Sequence, residues 1–177
     1  MSAVLLSGLR EMRIGTMLAL LSLIYGFSLG IYFGVFEDDI KAGLRDDAQA
    51  VFEQVYHSDQ SKMDKILGKS WTYIKRAHFH ATGMGTTALV LILGLALVPV
   101  ERKLRSLTAF LLGFGALFYP LCWMLAGRLA PSLGSTGAAK ANLSWLATPS
   151  ATMSVLGVGI ASFLILWPLF SKKPLKA

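Results

Sequence analysis

The stretch KRAHFHATGMGTTALVLILGLALVPV, residues 75–100, decides what kind of molecule this is. From Ala81 to Val100 it holds no Asp, Glu, Lys, Arg or His. An α-helix needs about 20 such residues to cross a bilayer. Lys75, Arg76, His78 and His80 stand at the mouth of the run. Ionisable groups at a membrane boundary are costly unless paired, ligated or hydrated, so they are candidates for function.

Working outward, three more runs lack those five residue types: Ile14–Phe36, Ser106–Gly127 and Ala141–Ser171. Only 15% of the 177 residues are charged and 54% are hydrophobic, against about 25% charged in a soluble domain. The expected fold is an all-α integral membrane protein, a four-transmembrane-helix bundle forming a single domain over residues 1–177. Its spans fall near 14–36, 79–100, 106–127 and 148–171. The first run is longer than the ~7–15 residues of a signal-peptide core, and Val35-Phe36-Glu37-Asp38 offers no small-residue cleavage site. A retained signal anchor is expected.

The net charge of +7 reads as topology rather than nucleic-acid binding. Arg10 and Arg13 precede span one, Arg102, Lys103 and Arg105 separate spans two and three, and Lys172, Lys173 and Lys176 follow span four. These segments share one side of a four-span chain, with Glu11 and Glu101 as their acids. The opposite side is nearly balanced. The positive-inside rule then puts both termini in the cytoplasm and residues 37–77 outside, in a membrane such as a bacterial inner membrane.

Residues 38–77 are expected to form an outward amphipathic helical hairpin. Ile40, Leu44, Ala48, Val51 and Val55 recur at helical spacing, with Asp38 or Asp39 placed to cap the first helix. His57-Ser58-Asp59-Gln60-Ser61 breaks the pattern, and Met63, Ile66, Leu67, Trp71 and Ile74 form a second stripe expected to run on into span two. Residues 1–13 suit a helical turn at the interface. Pro120 inside span three should free the Ala116 carbonyl and kink the helix. Thr148-Pro149 suits the start of span four, as N-cap and first helical residue.

Candidate ligands gather toward the outer side. His78, His80 and Met84 open span two, Cys122 and Met124 close span three, Met153 opens span four, and His57 lies in the hairpin. Histidine, cysteine and methionine are the ligand types of haem and copper. His78, His80 and Met84 are therefore candidate cofactor ligands, and His78, His80, His57, Cys122, Met124 and Met153 candidate metal ligands. Residues two apart on a helix point roughly 200° away from each other, so the His pair cannot chelate one ion from a regular helix. Gly26, Gly30 and Gly34, four apart, form a face for close helix packing, within the bundle or against another subunit.

Three functions remain open on these residues. One is a haem- or copper-binding electron-transfer subunit. The second is a non-catalytic accessory or assembly subunit, with a membrane-protein partner or a homo-oligomer. The third binds a lipid or quinone, with the histidines hydrogen-bonding its head group. No residue is assigned a catalytic role. No charge sits in mid-membrane as an ion-coupled carrier requires, and neither an H-E-x-x-H nor a G-x-S-x-G motif is present.

Overall fold

The structure, a computed structural model, describes residues 2–170. Its elements are the helices α1 (Ser2–Glu11), α2 (Arg13–Gln49), α3 (Phe52–Tyr56), α4 (Gln60–Leu97), α5 (Arg102–Leu133), α6 (Thr136–Asn142) and α7 (Ser144–Phe170). Four of them, α2, α4, α5 and α7, are long and apolar enough to cross a membrane. Ser171, Lys172, Lys173 and Lys176, invoked above for span four and for topology, lie outside the described residues.

Helix length explains the hairpin. α2 has 37 residues and α4 has 38. At about 1.5 Å per residue each exceeds the roughly 30 Å of hydrocarbon by some 25 Å. The hairpin is thus the continuation of spans one and two, joined through α3. Asp38 and Asp39 lie inside α2 and cap nothing. The break lies just before them, at Phe36 (φ −120°, ψ 23°), where α2 kinks between its apolar span and its outer arm. The expected break at 57–61 is present. His57 and Ser58 turn the chain with φ of 55° and 59°, and the Asp59 carboxylate caps α4 by accepting from the Lys62 amide at 2.9 Å.

α5 is the most buried of the four long helices and α7 the least. α2, α4 and α5 pack on one another, and α7 lies along α5. Small residues set these approaches, since in lipid close backbone packing replaces the hydrophobic drive. Gly15 of α2 and Gly113 of α5 meet backbone to backbone: a Cβ at Gly113 would collide with the Gly15 carbonyl oxygen. Gly115 faces Ser154 of α7, and Gly94 of α4 seats Ile165. The outer faces of α2 and α7 stay apolar and exposed, with Ile24, Phe27 and Ile31 on one and Val155, Phe163 and Trp167 on the other. Such faces suit contact with lipid.

One core lies toward the end holding α1, around Met12, Ile92, Leu95 and Leu112. A second lies at the hairpin end, around Tyr56, Met63, Ala130 and Leu143. α1 belongs to the bundle rather than to a surface turn. Its Gly8 abuts Ala96, and Glu11 pairs with Arg105 at 3.1 Å. The same guanidinium donates to the carbonyls of Val98 (2.9 Å) and Val100 (3.1 Å), covering the end of α4. Span four also starts earlier than expected. α7 begins at Ser144, and the amide of Ala147 already donates to the Leu143 carbonyl at 2.8 Å. Thr148 and Pro149 are inside the helix, because α6 hands the chain directly to α7.

Pro120 lies within α5, and its effect is answered from α2. The Ser22 hydroxyl is fully buried and lies 2.7 Å from the Ala116 oxygen and 3.0 Å from the Ala81 oxygen. It occupies the acceptor that proline leaves without its helical donor. Ser22→Ala should lower stability by about 1 kcal/mol, read as thermal unfolding in detergent. Pro120→Ala restores a donor to Ala116, so the double variant should lose less than the sum of the two singles. Strict additivity would refute the pairing.

Candidate functional site

His78 and His80 leave α4 in opposite directions. His78 turns to α2. Its Nδ1 lies 2.7 Å from the Gly26 carbonyl oxygen, an acceptor, so Nδ1 carries the proton. The imidazole lies on Gly30, where a Cβ would stand 2.8 Å from its Cε1, and the Phe33 ring meets it edge-on at 6.3 Å. Gly26 in turn receives Thr82 and Ala81. Two members of the glycine repeat therefore seat α4 within the chain. Gly34 has nothing within 4 Å.

His80 turns to α5 and rests against Tyr119 (5.3 Å between centroids) and Trp123 (5.9 Å). The two aromatics sit four apart, one helical turn, and meet edge to face at 6.1 Å. Tyr73 meets Trp123 at 4.8 Å, also edge to face. The Arg76 guanidinium lies over Trp123 at 5.0 Å and over Tyr73 at 5.5 Å. Lys140 reaches Tyr73 from the other side at 6.0 Å. Its placement comes from α6, whose Ser135 cap accepts from the Ala138 amide at 3.1 Å and aims the short helix across the bundle end.

This cluster borders a cavity of about 170 Å³ lined by Tyr119, Cys122, Trp123, Lys140, Leu143 and Ala147. The Trp123 Nε1 is buried and has no acceptor. An indole N–H offers only a donor, and leaving it unpaired in a buried setting costs free energy. Among the described residues the ion pairs are Lys41–Glu37 and Arg105–Glu11, so neither Arg76 nor Lys140 faces a carboxylate. Deeper in the bundle a smaller cavity of about 100 Å³ separates α4 from α7, lined by Met84, Thr87, Leu112, Ser154 and Val158. On α4, His80, Met84 and Thr87 share one stripe. The outer cavity thus lies among α5, α6 and the start of α7, close to His80 and Arg76 of α4, and the inner one lies among α4, α5 and α7.

The remaining sequence candidates do not converge. His57 is exposed at the hairpin turn. Met124 packs against Ile40, Leu44 and Ile74. Met153 is half-buried on α7. Cys122 is buried, and its thiol donates to the Phe118 carbonyl at 3.3 Å. Among the described residues no three His, Cys, Asp or Glu side chains come together as a metal site would need. Arg76 is among the boundary residues noted from sequence, whereas Tyr73, Tyr119, Trp123 and Lys140 were not singled out as site residues. The signals were the one-turn spacing of Tyr119 and Trp123 and a lone lysine in a loop of small residues.

The other flank of α4 carries a different surface. Trp71 lies beneath Lys41 (5.4 Å) and Lys75 (5.7 Å), beside an open groove of about 640 Å³ that also holds Arg45 and Asp64. Its charges are mixed, and Lys41 is held by Glu37. The chain matches no protein-family model, no curated protein and no solved structure.

Proposed function

We propose that this is a membrane protein that binds an amphiphile, a lipid or a quinone, in a crevice that joins the outer cavity among α5, α6 and α7 to the inner cavity between α4 and α7. The head group sits at the mouth beside His80, Trp123 and Lys140, and the tail runs inward past Met84 and Ser154. The observation that carries this reading is the Trp123 ring, which lines a cavity, lies beneath the Arg76 guanidinium and has a buried N–H with no acceptor. Binding sites combine apolar walls with a few convergent polar groups. The distribution of arginine and lysine along the chain supports an outward-facing mouth. The haem or copper reading and the accessory-subunit reading have no comparable observation behind them. Each histidine is engaged separately by a different helix.

The test is native mass spectrometry of protein purified in mild detergent, with extraction and identification of bound small molecules. The expected result is one co-purifying amphiphile per chain. Met84→Trp, which fills the inner cavity, should lower its retention at least tenfold while leaving the fold intact. Wild-type protein carrying only detergent, before and after incubation with a lipid extract, would overturn the reading.

A further inference from the structure

Charge selects among amphiphiles. From Lys65 to the end of the chain the only acidic residue is Glu101, and it lies in the turn between α4 and α5, at the opposite end of the bundle from the crevice mouth. All four helices around the mouth, α4 beyond Asp64, α5, α6 and α7, are therefore free of carboxylates there. Lys140 lines the cavity and lies over Tyr73, and Arg76 lies over Trp123, another of the cavity's walls. The remaining side-chain groups around it are the Trp123 N–H, the His80 imidazole, the Tyr73 and Tyr119 hydroxyls and the Cys122 thiol. Donors outnumber acceptors, and the fixed charge is positive.

This excess stands out against topology. Lysine and arginine are disfavoured on the outward side of a membrane protein, and the acids that balance the outer cations lie on α2, α3 and the start of α4, up to Asp64. A neutral quinone presents carbonyl acceptors, which one N–H or hydroxyl satisfies. It has no use for two uncompensated cations. A phosphodiester accepts several charge-assisted hydrogen bonds at once, and these are the strong ones; a choline on that phosphate would add a further cation beside Arg76 and Lys140, so a head group with net negative charge fits best.

We infer that the occupant of the crevice is an anionic phospholipid of the leaflet facing the hairpin, its phosphate held by Lys140, Arg76 and the Trp123 N–H. This rests on the amphiphile-binding reading above and names the head group. The acyl chain supplies the apolar part, along α4 and α7.

Reconstitution in mixed phosphatidylglycerol and phosphatidylcholine nanodiscs, followed by release and native mass spectrometry, tests it. Wild-type protein should retain phosphatidylglycerol over phosphatidylcholine by about tenfold, the scale of one charge-assisted hydrogen bond. Lys140→Gln should erase most of that preference. Lys75→Gln, which removes a cation on the other flank of α4, should leave it unchanged. Retention of phosphatidylcholine or an added quinone as strong as that of phosphatidylglycerol, still lost in Met84→Trp but indifferent to Lys140→Gln, keeps the crevice and overturns the anionic head group. Equal losses in Lys75→Gln and Lys140→Gln overturn it too, because general attraction to an anionic surface would then explain the preference. No retained lipid of any kind removes both readings.

Discussion

Gly15→Ala and Gly113→Ala are expected to be the most disruptive single-methyl changes in the protein. At Gly15 the new carbon would fall on the Ala109 carbonyl group and 2.8 Å from the Phe110 nitrogen. At Gly113 it would meet the Gly15 carbonyl and come 2.9 Å from the Leu18 Cβ. The obstacles are largely backbone atoms, so no rotamer relieves them and α2 must move away from α5. Overpacking of this kind costs about 1–3 kcal/mol, and more where backbone must shift. Gly34, Gly68 and Gly83 have nothing within 4 Å of a Cβ. Alanine at those helical positions should be neutral or should stabilise, by up to about 1 kcal/mol. Thermal unfolding in detergent checks both groups. Similar midpoints for Gly113→Ala and Gly83→Ala would contradict the close crossing.

Tyr56→Ala should open the hairpin end while the membrane-spanning part stays folded. Tyr56 is fully buried, belongs to the core shared by α4, α5 and α6, and donates its hydroxyl to the Pro131 carbonyl at 2.6 Å. Loss of a buried aromatic side chain costs about 3–5 kcal/mol. Hydrogen exchange should show lost protection across residues 50–66, while α5 remains protected at its centre. Tyr56→Phe keeps the ring and should cost only about 1 kcal/mol. It also isolates a pH effect. Burial pushes the Tyr56 hydroxyl above its ordinary 10.0. The unfolded tyrosine ionises first as pH rises, so its contribution is intact below pH 10 and is lost as pH climbs through the raised folded value. Hairpin protection should fall more steeply above pH 10 in wild type than in Tyr56→Phe.

The spans are legible in the chain because absence of charge is a property of the residues themselves. The divergence of His78 and His80 is legible for a similar reason, since 100° per residue holds in any helix. The hairpin helices are legible as stripes, and so is the run of the second into span two, which α4 bears out; the joining of the first to span one is not. Asp38-Asp39 has the composition of a cap, but the helix breaks at Phe36, so both aspartates fall inside the arm that follows and neither caps it. Thr148-Pro149 misleads in the same way. The crevice is the least legible part. His80 owes its aromatic surroundings to α5, and hydropathy does not encode which helix packs beside which. Gly15 escapes notice as a lone glycine until Gly113 is placed against it.

α4 runs from Gln60 to Leu97 without an internal departure from helical geometry, whereas α2 breaks its geometry at Phe36. The hairpin therefore joins one rigid rod to one jointed rod. A rod does not take up rotation locally. Turning α4 enough to widen the space beside His80 also swings Met63 and Ile66 at its far end, and the slack is taken up at Phe36. Stiffness of this kind ties the hairpin tip to any rotation of α4 beside His80.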